Sequence, residues 1–142
     1  MDDSIVVGAT VAPLVDHPLT ITDFVRYQGA SGDFNPIHHD ADFATKAGQP
    51  GPFAVGMRQA GVMAAYAVDW LGPENLRRFG VQFREQAWPG DVLTYSGTVT
   101  ATQVHDDGTT VDVELLCTRE SGGVHLRGWA TFLLDPTGQA AD

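Results

Sequence analysis

Met57-Arg58-Gln59-Ala60-Gly61-Val62-Met63-Ala64-Ala65-Tyr66-Ala67-Val68-Asp69-Trp70-Leu71, followed at once by Gly72-Pro73, reads as a helix with apolar residues on most of its faces. Alanine and methionine favour the helical state, and a glycine–proline pair stops it sharply. So broad an apolar surface belongs to a helix buried by its surroundings rather than to a surface amphipath. At about 1.5 Å per residue it runs for roughly 22 Å, enough to cross a small domain and too short to span a membrane.

Past Phe79 the apolar period falls to two. Leu93, Tyr95, Gly97, Val99 and Ala101 share one face, while Thr94, Ser96, Thr98, Thr100 and Thr102 share the other. Val111, Val113, Leu115 and Cys117 alternate with Asp112, Glu114 and Leu116; Val124, Leu126, Gly128, Ala130, Phe132 and Leu134 alternate with His125, Arg127 and Thr131. This is the side-chain alternation of strands, and Asp106-Asp107-Gly108 and Ser121-Gly122-Gly123 supply the turns between them. One enveloped helix followed by antiparallel strands predicts an α+β fold in which a curved antiparallel β-sheet wraps a long central helix.

Upstream, Thr20 with Asp23 marks a helix start, Phe24 and Tyr27 fall at helical spacing, and Gly29 offers a stop. The spacing predicts a short helix over roughly Ile21–Gln28. Residues 30–53 are rich in Gly, Pro, Asp and Asn, and Pro36 biases Asn35 away from helical geometry. A brief helical turn is expected around Ala41–Ala47 within this structured excursion, and loops of such length in compact domains are often functional. Met1–Gly8 and Thr137–Asp142 read as loose tails.

A length of 142 residues favours one domain over residues 1–142. With 43% hydrophobic and 18% charged residues, the chain has the composition of a soluble globular protein rather than a disordered one. The single cysteine, Cys117, cannot form an internal disulfide, which is compatible with a reducing cytoplasm. Its place in an alternating run favours a small core side chain over a nucleophile. Met1-Asp2-Asp3 lacks a basic secretory start, and no apolar run is long enough for a bilayer, so a cytoplasmic location is expected. A formal net charge of −10 argues against nucleic acid or an anionic membrane surface, while leaving room for a phosphorylated ligand held by local arginines.

Ser31-Gly32-Asp33-Phe34-Asn35-Pro36-Ile37-His38-His39-Asp40 gathers a carboxylate, an amide and two imidazoles in an irregular stretch. Asp33 and His38 are five apart, which matches neither face of a helix or strand, so only a folded-back loop brings them together. A carboxylate facing an imidazole across a small gap can hold a water and pass protons both ways, help typically worth about 10²–10⁴ in rate. Asp and Asn before Pro are also ordinary turn residues, and an Asp–His pair is often only a surface hydrogen bond. Phe53-Ala54-Val55-Gly56-Met57 leads into the buried helix, whose first amides lack partners and carry partial positive charge. The Gly56 N–H is a candidate donor to an incoming carbonyl oxygen, a contact worth about 3–4 kcal/mol in a transition state. Alternatively, Gly56 serves only tight helix–sheet packing.

Tyr27-x-x-x-Ser31-Gly-Asp-x-Asn-Pro-Ile-His38-x-Asp40, with Phe43-Ala44, Gly56-Met57, Val81-x-Phe83-Arg84 and Pro89-Gly90-Asp91, resembles the MaoC-like (R)-specific enoyl-thioester hydratases of the hotdog fold. The resemblance covers about Asp23–Thr102. It implies that Asp33 activates water and delivers a proton to Cα, that His38 shares and orients that water, that Asn35 braces the loop and that the Gly56 amide binds the thioester oxygen. It implies an acyl-CoA or acyl carrier protein thioester substrate, no cofactor and no metal, and a homodimer or a heterodimer with a second hotdog subunit. Val55 stands where family members commonly have histidine, and Gln86-Ala87-Trp88 where they commonly have Pro-Val before the turn. Both departures bear on the acyl pocket.

The run Val68-Asp69-Trp70-Leu71-Gly72-Pro73, with His38-His39-Asp40, also resembles small MaoC-like subunits that pair with a second chain to hydrate steroid side-chain enoyl-CoA esters; Trp70 alone reads more readily as core filler beside the helix stop. Arg58, Arg77, Arg78 and Arg84 are the candidates for coenzyme A phosphates, and Arg58, Arg84, Ser31 and Met57 are taken as candidate substrate-binding residues. His17, His105 and His125 read as surface residues. Three other functions share some of these features: a hotdog thioesterase using Asp33, a metal enzyme using His38-x-Asp40 with His105 or His125, and a non-catalytic subunit supporting an active partner.

Overall fold

The structure, a computed structural model, describes residues 5–136. The expected tails at 1–4 and 137–142 lie outside the described residues. Ile5–Gly8 is not a loose tail: Ile5 packs against the core, and the Gly8 N–H donates to the Val99 carbonyl at 2.9 Å.

In chain order the elements are β1 (Leu14–Val15), α1 (Ile21–Ser31), α2 (Ala41–Lys46), α3 (Gly56–Leu71), β2 (Leu76–Phe83), β3 (Leu93–His105), β4 (Gly108–Arg119) and β5 (Val124–Leu134). Short 3₁₀ turns occupy Pro36–His38 and Pro73–Asn75. The strands form one antiparallel sheet in the order β1-β3-β4-β5-β2, and α3 packs on β2, β3, β4 and β5. The α+β arrangement expected from the change of period is present.

Two glycines let the helix sit close. Gly97 on β3 and Gly128 on β5 both lie opposite Leu115 on β4. A Cβ at Gly128 would collide with the Met63 sulfur, and one at Gly97 would come within 3.2 Å of the Trp70 ring. A bare backbone at mid-sheet therefore receives the bulk of α3. Around this contact Leu93, Tyr95, Leu115, Cys117, Leu126 and Phe132 are wholly buried against Ala60, Met63, Ala67 and Leu71. Burial pushes the Cys117 thiol up to about 12, as suits a core residue rather than a nucleophile.

Several expectations need correction. α1 continues through Gly29 and Ser31 and ends at Gly32, whose φ of 77° supplies the left-handed cap. Its start matches the capping box read from Thr20 and Asp23. There the Thr20 hydroxyl, aided by the Thr20 amide and His17, holds the Asp23 carboxyl down to about 2. α3 is not enclosed all round, because Met57, Gly61, Ala65 and Asp69, spaced by four, form an exposed stripe. Ala101 leaves the buried face of β3, because a register shift between Val99 and Ala101 breaks the alternation.

His125 is likewise not a surface residue. The β4–β5 ladder pairs Cys117 with Leu126 and Thr118 with Val124, so His125 is an extra residue in a bulge. The bulge turns it inward beside Leu126, and it is only 2% exposed. His17 is exposed as expected, but it has partners in Asp16 and Asp23.

Candidate active site

The segment that follows α1 folds back on itself through local side-chain bonds. The Asn35 side-chain oxygen accepts from the Ile37 N–H at 3.0 Å and caps the 3₁₀ turn that carries His38. The Asp33 carboxylate accepts from the Asn35 N–H at 3.3 Å, and the Ser31 hydroxyl accepts from the Asp33 N–H at 3.2 Å. Asp40 caps α2 by accepting from the Phe43 N–H.

Gln28, which sequence reasoning did not single out, holds the loop to α1. It is 2% exposed, and its Nε2 donates to the carbonyls of Asp33 (2.8 Å) and Asn35 (3.0 Å). Its Oε1 accepts from His39 Nδ1–H at 2.8 Å. The available signal was its place four residues after Phe24, on the buried face of the helix.

His38 is pinned from a second direction. Its Nδ1–H donates to the Phe53 carbonyl at 2.8 Å, and its ring meets the Phe53 ring edge-on at 5.1 Å. Phe53 in turn packs edge-on against Trp88, while the Ala54 N–H donates to the Ala87 carbonyl. With Nδ1 donating, the neutral ring presents a lone pair at Nε2. That nitrogen lies 3.8 Å from Asp33 Oδ2. The His38 side chain is nearly buried and that of Asp33 half-exposed, so the pair has one protected and one open member.

Asp33 and His38 line a cavity of about 360 Å³ together with Phe53, Val55, Gly56 and Met57. Phe83, Arg84, Glu85, Gln86 and His125 form another part of its wall. Gly56 opens α3, so its N–H has no intrahelical acceptor, and no side chain caps this helix end. A Cβ at Gly56 would come within 2.6 Å of the Phe83 ring, so close packing is one reason for glycine here. The packing and the open amide coexist.

Other sequence candidates are placed differently. Ser31 and Asn35 act within the loop and do not line the cavity. Arg58 is engaged elsewhere, its guanidinium donating to Asp16 at 2.8 Å, and it does not line the cavity. Arg84 does line it, exposed and lightly held by Gln82. Arg77 donates to the Glu74 carbonyl in the turn before β2. The ligand set weighed for a metal is not assembled. Asp40 serves as a helix cap, His105 is exposed on the β3–β4 hairpin, and no three His, Cys, Asp or Glu are grouped for a metal among the described residues.

The sequence from 4 to 120 matches the family model described as a MaoC like domain. Over 85 residues the chain is 35% identical to the 3-oxo-4,17-pregnadiene-20-carboxyl-CoA hydratase beta subunit of Mycobacterium tuberculosis, covering 59% of this chain and 64% of that protein. The chain spans less than two thirds of the length of the curated relatives it matches. Among solved structures, the ChsH1-ChsH2 complex from Mycobacterium tuberculosis aligns with a TM-score of 0.77 and 28% identity, covering 91% of this chain and 98% of that one. The (R)-hydratase from A. caviae involved in PHA biosynthesis aligns with a TM-score of 0.78 at 23% identity, covering 93% and 98%, a likeness of fold. The fold is the hotdog fold.

Proposed function

We propose, for a chain that belongs to the family of MaoC-like domains, that it catalyses the reversible addition of water to a trans-2-enoyl thioester, giving the (R)-3-hydroxyacyl product. The observation that carries this reading is the 3.8 Å separation of Asp33 Oδ2 and His38 Nε2 in the wall of a cavity that also contains the start of α3. That gap is too long for a direct hydrogen bond, yet both acceptors fall within reach of the two O–H groups of one water, each at about 2.8 Å. A water held in this way points its lone pairs away from both groups, toward the cavity.

The chemistry balances on these groups. Asp33 takes one proton from the water as its oxygen bonds to C3. The C2–C3 π electrons move toward the thioester, and the charge that develops on its oxygen meets the Gly56 N–H. Asp33 then returns the proton to C2, while the second hydrogen of the water stays on the new hydroxyl. His38 keeps the water aligned throughout, and Asn35 and Gln28 hold the loop. Arg84, which lines the cavity, is the cation we assign to the phosphates of an acyl carrier such as coenzyme A. The substrate class extends to steroid side-chain esters, in line with the printed name of the mycobacterial relative.

The exposed α3 stripe and the exposed Phe34, Met57 and Phe83 support a second hotdog unit seated beside the cavity, either another copy or a different subunit. No helix among the described residues is long and apolar enough to cross a membrane. The cytoplasmic location that we propose is supported instead by the single cysteine, Cys117, which is compatible with a reducing compartment.

Loss of enoyl absorbance on adding protein tests the reaction. Asp33→Asn should slow it by about 10²–10⁴ while the circular dichroism spectrum is unchanged. Near-full activity in that variant would remove Asp33 from the reaction, and release of free thiol would redirect the reading to thioester hydrolysis.

A further inference from the structure

His125 is left unexplained by the acid–base chemistry, yet it shares a cavity with Asp33 and His38. The bulge in β5 takes it out of the ladder and turns it inward until it is 2% exposed. Its Nδ1–H donates to the Glu85 carbonyl at 2.6 Å. Its backbone carbonyl accepts from the Arg84 N–H at 2.9 Å, so ring and main chain are both fixed against the end of β2. The arrangement repeats that of His38, whose Nδ1–H is also given to a main-chain carbonyl. His38, however, faces a carboxylate, whereas Nε2 of His125 is buried with no partner.

With Nδ1 committed as a donor, the neutral ring has only a lone pair to offer at Nε2. Burial favours that neutral form, against the opposing influence of the Glu85 carbonyl. A buried acceptor left unmet is destabilising, and a donor carried by the ligand that fills the cavity would meet it once the wall yields enough to uncover the ring nitrogen. On an enoyl thioester the reacting end supplies none: the carbonyl oxygen accepts, and C2 and C3 carry no polar hydrogen. The amide N–H groups lie along the pantetheine arm that links the acyl group to its carrier. The wall that holds His125 also holds Arg84, the candidate for the carrier's phosphates.

We propose that His125 is a substrate-positioning residue whose Nε2 accepts a hydrogen bond from an amide N–H of the pantetheine arm. This rests on the reading of the cavity as an acyl-thioester site. His125 takes no part in the proton transfers. It sets where the arm lies, and through the arm where C3 stops relative to Asp33.

The test compares the full wild-type chain with His125→Phe, which fills the space without an acceptor, and with His125→Gln, a second replacement of different shape. Two enoyl thioesters are used, one on pantetheine and one on ethanethiol, which has no amide. His125→Phe should lower kcat/KM for the pantetheine ester roughly three- to tenfold and leave the ethanethiol ester unchanged, the size expected for one neutral hydrogen bond. Binding of S-butyl pantetheine, an unreactive thioether, should weaken by the same factor in calorimetry.

Equal losses on both esters, no loss on either, or failure of both variants to fold would overturn the proposal and leave His125 a structural residue or the holder of a trapped water. A wild-type protein that hydrates neither ester would sink the hydratase reading instead. The thioether titration would then decide alone: weaker binding by the variant upholds the arm contact, and no binding by the wild type overturns it.

Discussion

Gln28 has three polar bonds, two of them to carbonyls of the loop that carries the proposed acid–base pair. Gln28→Leu keeps the volume and leaves those carbonyls unmet, so we expect a loss of about 1–3 kcal/mol in urea unfolding. The hydration rate should fall further than stability does, because the loop is no longer held in register with the cavity. His125 gives a pH signature. Its folded-state pKa lies below 6.5, held down by burial, with Arg119 also lowering it and Glu85 and Asp91 pulling the other way. As pH falls below 6.5 the unfolded chain takes up the proton first, so stability present above that point is lost toward the lower, folded value. His125→Phe should flatten this part of the stability–pH curve relative to wild type in thermal melts. The approach of His38 to Asp33 was legible because both stand in an irregular stretch with a specific motif. Gln28 was not, because a polar residue in a short helix reads as solvent-facing. His125 was not either, because alternation assumes an uninterrupted ladder, and the extra residue near the start of β5 puts two neighbours, His125 and Leu126, on the buried side.

At the scale of elements, the meeting of α3 with β2 is the informative contact. Gly56 costs helix propensity at the first turn, and alanine would be favoured there if nothing stood in the way. The Phe83 ring stands in the way, although it is half-exposed and has somewhere to go. Gly56→Ala should therefore destabilise the wild-type chain by about 1 kcal/mol, through the shift it forces on Phe83. In a Phe83→Leu background the same change should become neutral or stabilising. A double-mutant cycle in denaturant reads this coupling, and additive effects would mean that the two residues do not press on each other. Most helices and strands could be read from the sequence because their periods are long. The stop of α1 was misplaced because Gly29 and Gly32 are both plausible caps, and only tertiary context selects the second. β1 was missed because two residues have no period to show.

For the molecule as a whole, the change from helical to strand period gave the layout, and close helix–sheet packing over Gly97 and Gly128 realises it. What the sequence could not show is where that packing stops. The exposed stripe of α3 looks the same in sequence as the buried ones, since alanine, glycine and methionine serve either side. If a second hotdog unit covers this stripe, the wild-type chain should run in light scattering with the mass of a pair, alone or with its partner subunit. Met57→Glu, a charge at the head of the stripe, should shift it toward the single chain.

The two margins of the sheet are finished differently. β1 and the main chain near Gly8 and Ala9 cover part of the β3 side, whereas β2 has no neighbour on its outer side among the described residues. The eight residues of β2 are therefore the longer line of main-chain donors and acceptors left open at one edge. When two copies meet symmetrically along β2, each uses up the other's vacancy, and accretion ends at two rather than running on as a fibre.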